Sequence, residues 1–128
     1  METTRPRVLV ADDEAHIRTL MKSVVKSLGF DLAGEAANGQ LALDAFLKTR
    51  PDIVLLDINM PVKSGTEALK EIMAAAPEAL VIMLTSVADV ESVRECLSSG
   101  AATYIRKDTP LEQMKGFITD AWEGRDKS

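Results

Sequence analysis

The residues of this chain with chemistry to offer stand directly behind short apolar runs. Asp12, Asp13 and Glu14 follow Val8-Leu9-Val10, Asp57 follows Ile53-Val54-Leu55-Leu56, Thr85 and Ser86 follow the run ending at Leu84, and Arg106 and Lys107 follow Thr103-Tyr104-Ile105. Carboxylates crowded together repel each other and hold on to protons unless a cation intervenes. Mg2+ suits such a cluster, because it takes a few carboxylate oxygens and completes its shell with water and phosphate oxygens. An aspartate can also attack phosphorus and become an aspartyl phosphate, and the transferred group then needs neutralising charge. Asp57 is the candidate nucleophile, since a carboxylate that ends an apolar run must be solvated, paired or reactive. Lys107 offers a second positive charge and Thr85 a hydroxyl hydrogen bond. Taken singly, these residues have plainer explanations. Asp12 and Asp13 read as acids at a helix N-terminus, Thr85 as a helix N-cap, and Lys107 as a solvated lysine. Their common position behind successive apolar runs weighs against those separate explanations.

Elements that bring such distant residues together are legible in the pattern. Short β-branched runs alternate with helical periodicity. Val8-Leu9-Val10 reads as a first strand, and Ile17, Leu20, Met21, Val24, Val25 and Leu28 form one face of a helix closed by Gly29. Leu32 to Ala36 is a weaker strand; a helix then opens at Asn38-Gly39 and runs to about Lys48, before Pro51. Ile53 to Leu56 is an apolar strand, followed past Gly65 by a helix marked by Leu69, Ile72 and Met73 and bounded by Pro77. Leu80 to Leu84 is a fourth strand, Val90, Val93 and Leu97 mark a helix closed by Gly100, and Thr103-Tyr104-Ile105 is a short fifth strand. Pro110 starts the last helix, whose face is Leu111, Met114, Phe117, Ile118, Ala121 and Trp122. Apolar strands without polar alternation imply a parallel sheet covered on both faces. Right-handed crossovers then give an open, doubly wound α/β sheet, with sites at the carboxyl ends of its strands.

Composition narrows the function classes. The chain has 128 residues, enough for one domain with one core; we expect a single domain over residues 1–128, with the core at about 6–123 and a polar tail at 124–128. Fifteen Lys plus Arg against 20 Asp plus Glu give a net charge of −5, which argues against direct nucleic-acid binding through phosphate neutralisation. No apolar run is long enough to cross a membrane. The N-terminal Met1 to Arg7 lacks a signal-peptide apolar core. A lone cysteine, Cys96, excludes an intrachain disulfide framework. The expected compartment is a reducing cytoplasm. No Gly-x-x-x-x-Gly-Lys loop or Gly-x-Gly-x-x-Gly turn follows a strand, and Asp57-Ile58-Asn59 lacks the second aspartate of an Asp-x-Asp phosphotransferase. A nucleotide enzyme or metabolic phosphatase is therefore disfavoured.

The set Asp12-Asp13, Asp57 within Asp57-Ile58-Asn59-Met60-Pro61, Gly65, Thr85, Tyr104 and Lys107 resembles the receiver domain of bacterial response regulators along essentially the whole chain. The resemblance implies a flavodoxin-like (βα)5 three-layer sandwich with sheet order 2-1-3-4-5. It implies that Asp57 accepts a phosphoryl group from a histidine kinase, a phosphotransfer protein or a small donor. Asp13, Asp57 and the Asn59 backbone carbonyl would bind Mg2+, with Asp12 acting through a water. Lys107 and Thr85 would contact the phosphoryl oxygens. Thr85 would move toward the phosphate and Tyr104 would turn from outward to inward, changing the face of the fourth helix, fifth strand and fifth helix for a downstream protein. The implied activity is self-phosphorylation and slow autodephosphorylation, not enzymatic turnover. The implied state is a monomer or a phosphorylation-dependent dimer. The alternatives are a phosphorylation-independent interaction module, or a receiver excised from a larger regulator with a DNA-binding output domain.

Several positions depart from the family's pattern. Lys107 precedes Asp108 where many receivers have a cis proline; a cis non-proline bond costs roughly 2.5–4 kcal/mol, so we expect a trans bond. Asn59 and Val87 stand at rate-tuning positions. Apolar Val87 cannot hold a hydrolytic water, which implies slow loss of the phosphoryl group. Trp122, on the last helix, should report poorly on metal binding. His16 reads as a partly exposed helix residue, Cys96 as a buried free thiol, Met60, Met73, Met83 and Met114 as core filler, and Lys63 as a solvated loop lysine.

Overall fold

A computed structural model describes residues 5–86 and 90–125. Its elements alternate in chain order: β1 (Arg7–Ala11), α1 (Ala15–Ser27), β2 (Asp31–Ala36), α2 (Gly39–Thr49), β3 (Ile53–Asp57), α3 (Gly65–Ala75), β4 (Leu80–Thr85), α4 (Val90–Ser98), β5 (Thr103–Arg106) and α5 (Leu111–Gly124). The strands form one parallel sheet in the order β2-β1-β3-β4-β5, the doubly wound order expected.

Strand alternation divides the core in two. Leu9, Ala11, Val54, Leu56, Val81 and Met83 pack with Phe46 of α2, Ile72 of α3 and Cys96 of α4. Their neighbours Val8, Val10, Ile53, Leu55, Ile82 and Leu84 pack with Met21 and Val25 of α1 and Met114 and Ile118 of α5. Period-two side chains thus serve opposite layers, which is why the central strands are apolar at every position. Truncating a buried Leu or Ile such as Leu55 or Ile72 typically costs about 2–5 kcal/mol. β2, an edge strand, is fully buried only at Ala36, in keeping with its weak apolar pattern.

Helix ends follow local chemistry. Asn38 Oδ1 accepts from the Leu41 N–H at 2.8 Å and caps α2. Ser64 and Glu67 form a reciprocal capping box on α3. Gly29, with φ +77°, closes α1 while the Phe30 N–H bonds the Val25 carbonyl at 3.1 Å. Pro110 stands one position earlier than its expected place at the start of α5. It is the N-cap, with ψ 145°, and Leu111 is the first helical residue. There is no cis peptide bond among the described residues, so Lys107-Asp108 is trans. No helix of the described residues is long and apolar enough to cross a membrane.

Candidate functional site

Register brings the polar residues to one edge. Ala11 pairs with Leu56, Asp57 with Leu84 and Thr85 with Arg106, so β1, β3, β4 and β5 end side by side. The ladder continues into the loops: the Asp12 N–H donates to the Ala36 carbonyl at 3.0 Å, the Ile58 N–H to Leu84 at 3.1 Å and the Lys107 N–H to Thr85 at 2.8 Å. Asp12, Asp57 and Thr85 are the buried polar residues of the described chain. Neither Asp12 nor Asp57 is a helix N-cap. The N-cap of α1 is Glu14, whose own side chain makes no capping bond, so helix capping does not account for the acid pair.

Asp12, Asp13 and Asp57 each offer a carboxylate oxygen within 4.8 Å of the others. Lys107 supplies the balancing charge. Its Nζ lies 2.8 Å from Asp12 Oδ2, 3.1 Å from Glu14 Oε1 and 3.3 Å from Asp57 Oδ2, with the lysine side chain 8% exposed. Asp12 Oδ1 accepts from the Glu14 N–H at 2.9 Å. Its buried Oδ2 has the Lys107 ion pair and no aligned hydrogen bond. Burial first, and the Asp12 charge second, push the Asp57 carboxyl up to about 7, against the pull of Lys107. Burial works to lower Lys107, but Asp12, Asp57 and Glu14 together hold its ammonium well above its ordinary value. Several carboxylates therefore share one cation, and one buried oxygen is incompletely bonded. That donor set fits a small hard divalent ion such as Mg2+, which would relieve the repulsion.

The loop after β3 is held by close backbone packing. The Gly65 N–H donates to the Ile58 carbonyl at 2.7 Å. A Cβ on Gly65 would fall 1.8 Å from the Asp57 carbonyl oxygen, and one on Gly39 would fall 2.0 Å from that of Lys63. Lys63 corrects the expectation of a solvated lysine. Its side chain is 18% exposed and ion-paired to Glu71 of α3, because the loop lies down on that helix. Asn59 is exposed beside Asp57, and Tyr104 is 44% exposed, turned outward. Val87 lies outside the described residues. His16 is exposed, with Nε2 3.9 Å from Glu14 Oε2. Cys96 is buried against Thr66. Met60, Met83 and Met114 are core residues, and Met73 packs against the core.

Sequence reasoning assigned no role to Arg18, and it put Glu14 behind the first strand without a partner. Arg18 of α1 donates from Nη1 to the Asp12 carbonyl at 2.8 Å and from Nε to Glu35 at 3.1 Å, tying the acid loop to β2. Glu14 reaches Lys107, 93 positions away in the chain. Arg18 had a faint signal, a charge one helical turn from the acids beside apolar Ile17; Glu14 had only its adjacency to Asp13.

Known proteins are similar to this chain. The chain is 41% identical over 109 residues to protein CcdB of Bacillus subtilis, covering 85% of this chain and 89% of that protein. It is 39% identical over 101 residues to the chemotaxis protein CheY of Thermotoga maritima, covering 79% and 84%. A solved CheX–CheY–BeF3–Mg2+ complex from Borrelia burgdorferi contains a chain that superposes with a TM-score of 0.89 at 29% identity, covering 93% of this chain and 90% of that one. The profile of the response regulator receiver domain matches residues 8–119. With a (βα)5 sheet in this order and an acidic cluster at its carboxyl edge, the chain belongs to the response regulator receiver family of two-component signalling.

Proposed function

We propose that Asp57 is the phosphoacceptor of a Mg2+-dependent signalling switch in the cytoplasm. The observation that carries this reading is the buried Asp57 carboxylate, raised to about 7, within reach of two more aspartates and 3.3 Å from the Lys107 ammonium. A carboxylate oxygen of Asp57 attacks the phosphorus of a histidine kinase phosphohistidine or of a small acyl phosphate. A P–O bond to Asp57 forms as the P–N or P–O bond to the donor breaks, and the donor leaves with the bonding pair. Asp13, Asp57 and the Asn59 carbonyl would hold the ion, with Asp12 acting through a water. When bound, Mg2+ supplies charge neutralisation of the phosphoryl oxygens. Lys107 supplies the second positive charge, and the Thr85 hydroxyl a hydrogen bond. The chain turns over its own phosphoryl group and no other substrate.

The output surface is the α4–β5–α5 face. Tyr104 and Phe117 are about half exposed there, beside a groove of about 390 Å³ also lined by Arg106 and Gln113. Inward rotation of Tyr104, following Thr85 toward the phosphate, would change that groove for a protein partner. The chain works as a monomer or dimerises on phosphorylation. With apolar Val87 beyond Thr85, loss of the phosphoryl group is slow, and Val87→Glu should speed it.

Intact mass after incubation with Mg2+ and an acyl phosphate tests the reading. A gain of one phosphoryl group is expected, and it should vanish with Asp57→Asn or with EDTA. No gain from either the acyl phosphate or a panel of phosphorylated histidine kinases would favour a phosphorylation-independent binding module.

A further inference from the structure

Glu14 touches Lys107 without belonging to the Asp12, Asp13 and Asp57 cluster. An ammonium has three N–H donors, and Lys107 Nζ already faces three carboxylates, those of Asp12, Glu14 and Asp57. Of the three, only Glu14 Oε1 accepts an aligned hydrogen bond from it, while Asp12 Oδ2 and Asp57 Oδ2 stand at ion-pair distance, so turning the ammonium toward a phosphoryl oxygen gives up the Glu14 bond first. Asp12 is wholly buried, with its Oδ1 committed to the Glu14 N–H, so releasing it would strand a charge away from water. Asp57 carries the phosphoryl group itself. The Glu14 side chain is 46% exposed, and water can take over its solvation at once. Nothing else ties it down, for it makes no helix cap, and its second oxygen faces only His16 Nε2 at 3.9 Å.

We infer that Glu14 is a positioning residue that tethers Lys107 in the unphosphorylated protein and must release it before the lysine can meet a phosphoryl oxygen, so that Glu14 sets the rate of phosphoryl uptake. The inference rests on the phosphoacceptor reading of Asp57. The tether opposes uptake, because each transfer must first break a charge-assisted contact. The backbone N–H that braces Asp12 survives substitution of this residue by alanine, glutamine or aspartate.

Three variants separate a tether from a mere negative charge at the rim. Glu14→Ala removes both contact and charge, and Glu14→Gln removes the charge. Glu14→Asp keeps the charge on a side chain one methylene shorter, which falls short of Lys107 and supplies a favoured N-cap residue to α1. The measurement is the rate of phosphoryl uptake from an acyl phosphate with saturating Mg2+, read by intact mass. Nitrogen-15 NMR of the Lys107 ammonium, without donor, gives its proton exchange rate with water. We expect Glu14→Asp and Glu14→Ala to speed uptake by about two- to fivefold, the scale of one exposed charge pair, and to speed ammonium exchange in parallel. Uptake by Glu14→Asp at the parent rate or below, with unchanged ammonium exchange, overturns the tether. If the parent itself takes up no phosphoryl group, the reading of Asp57 fails while the tether is still decided by exchange: faster in Glu14→Asp upholds it, and equal rates overturn it.

Discussion

The two edges of the same sheet handle charge in opposite ways. At the amino edge, charges are matched and wet. The Arg7 N–H donates to Asp52 Oδ2 at 2.8 Å, the Arg7 guanidinium bonds the Thr49 carbonyl at 2.7 Å, and Arg5 pairs with Asp31 at 3.5 Å between exposed side chains. At the carboxyl edge, Asp12, Glu14 and Asp57 surround the ammonium of Lys107, Asp13 stands beside Asp12 and Asp57, and Asp12 and Asp57 are buried. At the amino edge Asp52 and Asp31 each have a donor beside them. The carboxyl edge is left short of positive charge, which suits the cation and phosphoryl group proposed for it. The difference teaches that both edges are acid-bearing, and that burial and unmatched sign, not acid content, mark the chemical one.

Asp57→Asn should break the contrast most completely. Phosphoryl uptake falls below detection in the mass assay, while stability without Mg2+ rises by about 2–4 kcal/mol above pH 7. The sign follows from the raised carboxyl, about 7 against an ordinary 3.8. The unfolded chain gives up this proton first, so the parent loses stability relative to Asp57→Asn as pH rises from about 4 to about 7. The gap stays level above that range and closes below it. Urea melts of both proteins across pH 3–9 would read this, and a constant gap would refute it. Saturating Mg2+ should shrink the gap by stabilising the charged parent.

Gly65→Ala comes next. Its Cβ would enter the space of the Asp57 carbonyl oxygen at 1.8 Å, so the β3–α3 loop must shift, at about 2–4 kcal/mol by denaturant melting. Mg2+ affinity, followed by calorimetry, should weaken in the folded fraction because the carboxylate moves with its backbone.

Arg18→Met removes the donor to the Asp12 carbonyl and keeps the aliphatic bulk on α1. A loss of about 1–2 kcal/mol is expected, together with weaker Mg2+ binding. Unchanged Mg2+ affinity would reduce Arg18 to a structural strut.

The amino edge should yield the smallest effects. Asp52→Ala costs about 1 kcal/mol through the Arg7 N–H it leaves behind, and Asp31→Asn stays within about 0.5 kcal/mol. Neither should alter phosphoryl uptake. A tenfold slower uptake in either variant would mean that the edges are coupled and that the comparison fails.

Much of this protein was legible before any coordinates. Alternating apolar runs and helical stripes mark all ten elements to within a few residues of their observed ends, because hydrophobic period is a local consequence of which face is buried. Acids, threonine and lysine behind successive strands point to one edge, because parallel crossovers place every strand's carboxyl end on the same side. What the tertiary structure alone decided is which charges meet. Lys63 lies along α3 against Glu71 instead of in solvent, Arg18 grips the Asp12 carbonyl, and Lys107 divides itself among Asp12, Glu14 and Asp57. Periodicity carries no information about such partners. An ion pair between residues 93 positions apart depends on ångström-scale separation and on local burial, and those exist only once the sheet has been assembled.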